Sequence, residues 1–230
     1  EEELLRTLNG QRLSSHLAMS GGGQARLHFY IAVPEGSAAE VDAAQLEELV
    51  NALLRTWSDK LGDGLAEVVS QEDAAELSDF YSQAFNAEYR AATDPGIAAE
   101  DVLHLEAMRS DRREISIAFA NRGASTPVAG IEGATELKVY LLGKRLILSD
   151  FMPILEDVGL RVIAANPYEV ELLNESGTIY IFAVQDQEEH QFAVDGRDEL
   201  LSETILASRS GDVVSDSLNA LVLSTGLHWR

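Results

Sequence analysis

Gly143-Lys144-Arg145 lies between an apolar run ending at Leu142 and a helical pattern opening near Ser149 and Asp150, and it is the stretch best furnished for chemistry. Glycine lets a ligand approach the backbone, a helix start offers free N–H groups, and two cations supply positive charge. A small carboxylate or an amino acid is what such a turn would hold, through Gly143, Lys144, Arg145, Ser149 and Asp150. The same residues also describe an ordinary strand-to-helix loop whose cations answer neighbouring Glu and Asp side chains. Both readings stay open at this point.

Other candidates are poorer. Histidines stand at 16, 28, 104, 190 and 228, with no two at the i, i+4 spacing of a helical metal pair. With no cysteine in the chain, thiolate nucleophiles, disulfides and Cys-based zinc sites are excluded, and no metal site is expected. Gly21, Gly22 and Gly23 invite a phosphate-loop reading, but no GK[ST] and no helix follow, so they read as a hairpin turn. "GDGLAE" lacks the third glycine of a dinucleotide turn, and no G-x-S-x-G elbow occurs. The 39 acidic residues are too many for any two to be singled out as an acid/base pair without geometry. No catalytic residue is expected in this chain.

The elements that must position the Gly143 turn follow from periodicity. Arg12 to Met19 and Ala25 to Val33 alternate as two strands, the second with Leu27, Phe29 and Ile31 on one face and His28 and Tyr30 on the other, exposed or interfacial. Pro34 and Gly36 end it. Leu46, Leu49, Val50, Leu53, Leu54, Trp57 and Leu61 form a continuous helical stripe that Gly62 and Gly64 should break, with "LAEVV" a short further piece. A second stripe at Leu77, Phe80, Tyr81, Ala84 and Phe85 reads as core and ends before the turn at Asp94-Pro95-Gly96. Ile97 to Met108 is a third helix, with Val102, Leu105 and Met108 inward. "REISIAFANRG" alternates as a strand, and the small residues of "ASTPVAGIEGAT" read as a linker or long hairpin.

Beyond it come a strand at Glu136 to Leu142 and a helix with Ser149 as N-cap, Pro153 near its first turn and Gly159 as C-terminal cap. Strands at Leu160 to Ala164, Tyr168 to Leu173 and Thr178 to Gln185 follow, with a turn at Asn174 to Gly177. Helical patterns occupy Asp198 to Ser208 and Asp212 to Leu227. This order predicts an α+β fold, the start of a βαββαβ (ferredoxin-like) sandwich with helices on one face of an antiparallel sheet.

Composition bounds the function. A 46% hydrophobic content over 230 residues can bury a core, in one or two domains. A net charge of -22 repels phosphate backbones and anionic lipid, so neither nucleic acid nor a membrane is an expected partner. No run approaches the roughly 20 apolar residues of a membrane span. The chain opens on Glu1 and closes on an apolar helical pattern, from which a segment of a longer protein is expected. The absence of cysteine is compatible with the cytoplasm, the expected location.

The segments "ARLHFYIAVP", "FNAEYRAATDP", "ELKVYLLGKRLILSDFMPILEDVGLRVIAANPYEV" and "LNALVLSTGLHWR", in this order, resemble the N-terminal regulatory region of the large bacterial NAD-specific glutamate dehydrogenases. "LSDFMPILEDVGLRVIAANPYEV" is the most specific part, and the resemblance covers roughly Ala25 to the end. It implies ACT-like domains separated by helices: residues 1–36 closing an upstream ACT-like domain, 37–111 a helical motif, and 112–230 an ACT-like domain with a C-terminal helix. It implies that the chain is catalytically silent and holds no cofactor, while the parent uses NAD, and that its partners are other domains and subunits of a homo-oligomer. ACT domains hold amino acids near the first strand-helix turn, which points to Gly143, Lys144, Arg145, Ser149 and Asp150. The usual turn there is Asp followed by Pro-Gly, where this one reads Gly-Lys-Arg. The alternatives carried beside this reading are an independent amino-acid-binding ACT module of another enzyme and a purely structural packing scaffold.

Overall fold

A computed structural model of the protein describes residues 5–6, 9–19, 25–34, 43–121, 131, 133–173, 175–188 and 197–225. It divides into two units, Glu1–Arg55 and Thr56–Arg230. In the first, β1 (Gln11–Met19) and β2 (Ala25–Ala32) pair antiparallel with His16 opposite His28 and Leu17 opposite Leu27, and α1 covers Ala43–Leu54. Tyr30 is exposed, but so is Phe29 on the face expected to be apolar. The turn expected at Gly21, Gly22 and Gly23, and the stop at Gly36, lie outside the described residues.

The stripe expected to run unbroken from Leu46 to Leu61 is two helices. α1 stops at Leu54, which is 69% exposed, and α2 (Trp57–Ala66) restarts behind Thr56. Thr56 Oγ1 accepts from the Asp59 N–H at 3.1 Å, while Asp59 Oδ2 accepts from the Thr56 N–H at 2.7 Å, a capping box within an apparently continuous apolar pattern. Gly62 and Gly64 do not break α2, because they are contact positions. A Cβ at Gly64 would lie 3.1 Å from the Ala99 Cβ, and one at Gly62 would lie 3.2 Å from the Ser78 Oγ.

α3 (Gln71–Ala84), α4 (Ala87–Ala92) and α5 (Pro95–Asp111) complete the helical layer of the second unit. Ser70, Asn86 and Asp94 each accept from a backbone N–H of the helix they precede, and Pro95 occupies the first turn of α5, where its missing N–H costs nothing. Tyr81, Ala84 and Phe85 are buried and Leu77 and Phe80 pack against them, as the core reading of that stripe requires.

β3 (Ile115–Ala120), β4 (Thr135–Leu142), β5 (Arg161–Glu171) and β6 (Ser176–Gln185) form one antiparallel sheet in the order β3-β4-β6-β5. β4 and β5 flank β6 and are joined through α6 (Leu148–Asp157), so they form a split βαβ unit. The edge beside β4 is taken by β3, which precedes the unit in the chain. α7 (Asp198–Ser210) follows β6. Most of "ASTPVAGIEGAT" lies outside the described residues.

The two strands expected at Leu160 to Ala164 and Tyr168 to Leu173 are one. Pro167 does not interrupt β5, because β5 is an edge strand and a proline can turn its missing donor outward there. The helix expected at Asp212 to Leu227 is, among the described residues, a 3-10 turn at Ser217–Asn219 and a short α8 at Ala220–Thr225. Asp216 accepts from the Leu218 N–H and Asn219 donates to the Val214 carbonyl, local bonds that compete with regular helix.

The largest correction concerns layers. Helices were expected on one face of the sheet, and both faces are covered. Leu137, Val139 and Leu141 of β4 pack with Phe151, Leu155, Leu201 and Ile205 of α6 and α7. Tyr140, Leu142, Ile179 and Ile181 pack on the opposite face with Tyr81, Val102, Leu105 and Met108. Every residue of β4 is buried.

Candidate functional site

The turn at Gly143 is built as follows. Gly143 adopts φ +66°, the left-handed region that glycine tolerates best, yet a Cβ there would meet nothing within 4 Å. The glycine therefore serves the backbone bend rather than a close approach. Its N–H donates to the Ser176 carbonyl at 2.8 Å. Lys144 pairs with Glu114, and Arg145 NH2 lies 3.1 Å from Glu169 Oε1, both pairs exposed. Ser149 is not the N-cap. Ile147 holds that position without a side-chain bond, α6 starts at Leu148, and the Ser149 hydroxyl donates to Asp150 Oδ1 at 3.2 Å.

Pro153 consequently sits in the second turn of α6, deeper than expected, where it removes the N–H that would bond the Ser149 carbonyl. The other end follows expectation. Gly159 at φ +87° donates to the Glu156 carbonyl and Leu160 to the Leu155 carbonyl, both at 2.9 Å, the Schellman pattern. The fold thus brings Gly143, Lys144, Arg145, Ser149 and Asp150 along one loop and helix start, with both cations already facing carboxylates.

A second constellation lies at the seam between α5 and β4. Lys138 and Asp101 side chains are 4% and 1% exposed, and the Lys138 Nζ stands 2.7 Å from each oxygen of Asp101. The Tyr140 hydroxyl donates to Asp101 Oδ1 at 2.7 Å, and the Tyr89 hydroxyl donates to Oδ2. Four donor contacts saturate a carboxylate, so this buried charge is fully answered. Glu136, also buried, places Oε1 3.6 Å from the same ammonium. His104, one turn along α5 from Asp101, stacks on Tyr140 at 4.3 Å between centroids and lies 2.7 Å from Ser116 Oγ of β3.

Burial lowers the His104 pKa below its ordinary value, against the pull of Asp101 and together with the repulsion of Arg113 and Lys138. Burial, then the Asp101 charge, pushes Tyr89 up, and burial with the Glu106 partner at 2.6 Å does the same to Tyr81. The hydroxyls stay protonated donors. Around Asp101 the seam is thus hydrogen-bonded on both carboxylate oxygens, by Lys138, Tyr140 and Tyr89.

The residue reading missed this seam. Two signals were present: Asp101 shares the apolar face of α5 with Ala98, Val102 and Leu105, and Lys138 sits in the middle of a strand. A groove of about 420 Å³ beside α3 and the end of β5 is walled by Phe80, Ala84 and Leu173 and rimmed by Glu76, Asp79 and Glu171. It includes none of the residues of the Gly143 turn, and its three carboxylates disfavour an anionic ligand. Among the described residues no group of three or more His, Asp or Glu is placed to hold a metal ion, and no helix is long and apolar enough to cross a membrane. His190 and His228 lie outside the described residues.

Comparison with known proteins assigns the parts. Residues 1–58 match the family model described as glutamate dehydrogenase ACT2 domain, 65–108 that of helical motif 2, and 124–197 that of the ACT3 domain. The NAD-specific glutamate dehydrogenase of Pseudomonas aeruginosa is 31% identical over 207 residues, which is 90% of this chain and 12% of that protein. The protein of the same name from Halomonas elongata is 27% identical over 206 residues, 90% of this chain and 12% of its own length. That from Mycobacterium tuberculosis is 26% identical over 250 residues, 100% of this chain and 15% of its own. The chain therefore spans only a small part of the relatives it matches. Three successive matches to domains of one family, supported by relatives of one name, place the chain in the glutamate dehydrogenase family, as its ACT2, helical motif 2 and ACT3 domains.

Proposed function

We propose that the chain is a non-catalytic regulatory and assembly segment of an NAD-dependent glutamate dehydrogenase, the enzyme that converts glutamate to 2-oxoglutarate and ammonium. The observation that carries this reading is the run of ACT and helical-motif matches along relatives of that name. The resemblance implies a catalytic lysine in a glycine-rich substrate pocket, and none of the three lysines has that setting: Lys138 is enclosed by Asp101, Lys144 faces Glu114, and Lys60 is exposed on α2. In this reading NAD binds elsewhere in the parent, a cytoplasmic homo-oligomer, and domains divide at 36/37 and 111/112. The segment acts indirectly, by packing between domains and subunits so as to bias a distant active site. An ACT module of some other enzyme is disfavoured by the relatives' shared name.

Incubating the 230-residue chain with glutamate and NAD tests the non-catalytic claim: no NADH is expected, and turnover would overturn it. The segment scaffolds rather than senses in this reading, because the Gly143 N–H and both neighbouring cations already have partners. Titration calorimetry with the twenty amino acids at millimolar concentration should give no binding heat. A heat abolished by Arg145→Ala would replace the scaffold with a sensor at Gly143, Lys144, Arg145, Ser149 and Asp150.

A further inference from the structure

We infer that helical motif 2 and ACT3, which match separate family models, form one obligate body in this protein, keyed by Asp101 on the helical side and Lys138 on the sheet side. A four-stranded sheet with its own helices on one face can leave the other to solvent, to a second copy or to another layer. Here that face carries Glu136, Lys138 and Tyr140 alternating with the core residues of β4, all buried. A buried ammonium is tolerable only opposite a carboxylate; Glu136 of the same strand stands 3.6 Å away, beyond hydrogen-bond reach, and the carboxylate that grips Lys138 at 2.7 Å belongs to α5. The dependence is mutual: without the sheet, Asp101 loses Lys138 and Tyr140 together.

The pair also selects one seating. Apolar contacts alone would let α5 slide by one turn, about 5.4 Å, and repack. A slide of that size carries Asp101 out of reach of both donors from β4. Two further ties lie across the seam: Phe85, between α3 and α4, bridges its backbone to Val170 of β5, and Tyr89 packs edge-on against Tyr168 at 5.5 Å. Two consequences follow. This sheet face is unavailable to a second copy, so assembly contacts of the unit use its edges or outer helices. A displacement imposed on ACT3 is carried whole by helical motif 2, because coupling travels through packed rigid elements with a single arrangement.

Native-state hydrogen exchange on the full 230-residue chain in rising urea reads this directly. Amides of α3 and α5 and amides of β4 and β6 are expected to converge on one opening free energy, and Lys138→Met to speed both sets by a common factor of ten or more. Helical amides that open at a lower free energy than the sheet, independently of it, would overturn the single body. A Lys138→Met chain that exchanges like the wild type would overturn the key. Should Lys138→Met fail to fold, the wild-type convergence still decides the first point, and Tyr140→Phe, which removes one donor to Asp101 while keeping the ring, decides the second by the same two outcomes.

Discussion

An ammonium group with 4% of its side chain exposed persists in this protein because two carboxylate oxygens stand 2.7 Å from it. Removing one partner strands the other charge in the core, which costs about 3–5 kcal/mol, whereas replacing both with apolar residues of similar volume is often neutral or better. Lys138→Met should therefore lower urea stability by about that amount, and adding Asp101→Leu to it should recover only part of the loss, because Glu136 remains a buried carboxylate and the Tyr89 and Tyr140 hydroxyls lose their acceptor. His104 gives a different signature. Its folded pKa is lowered by burial, so the native state holds it neutral while the unfolded chain takes up a proton near pH 6.5. The stability it contributes is present above that pH and is lost as pH falls through the folded value. Urea midpoints at pH 7 and pH 5 should differ more in the wild type than in His104→Gln, and equal differences would remove His104 from the account.

At the scale of elements, small residues decide how closely helices pack. The added Cβ of Gly64→Ala meets the Ala99 Cβ, which is fixed to its backbone and cannot rotate away. That of Gly62→Ala meets the Ser78 hydroxyl, which can. Alanine gains about 1 kcal/mol over glycine in a helix interior, and overpacking costs about 1–3 kcal/mol. Thermal melts should show Gly62→Ala neutral or stabilised and Gly64→Ala destabilised, since only in the second is the clash unrelieved. Most strands and helices were legible from period alone, including β3, β4, α5 and the Gly159 cap of α6. The elements misjudged share one cause: a local feature whose weight depends on its neighbours. Thr56 and Asp59 stop an apolar stripe, Pro167 is harmless on an edge strand, and Gly62 and Gly64 are contact points rather than breaks.

Over the whole molecule, a net charge of -22 acts as self-repulsion that salt screens, with a Debye length of about 10 Å at 0.1 M. The melting temperature should rise between 0.05 and 0.5 M sodium chloride, and a fall would mean that exposed pairs such as Lys144–Glu114 outweigh the repulsion. The sequence by itself determined most of the elements, the α+β class and the family, because hydrophobic period and ordered segments survive without three-dimensional context. It also held the near-continuous apolar run of β6, "TIYIFAV", a mark of a strand buried on both faces. Only the tertiary structure decided what the polar positions are for. Glu136, Lys138 and Tyr140 alternate with Leu137, Val139 and Leu141 as a solvent-facing row would. That row is buried instead because α5 lies over it and brings Asp101 to Lys138, and alternation alone cannot tell water from a partner that carries the complementary charge.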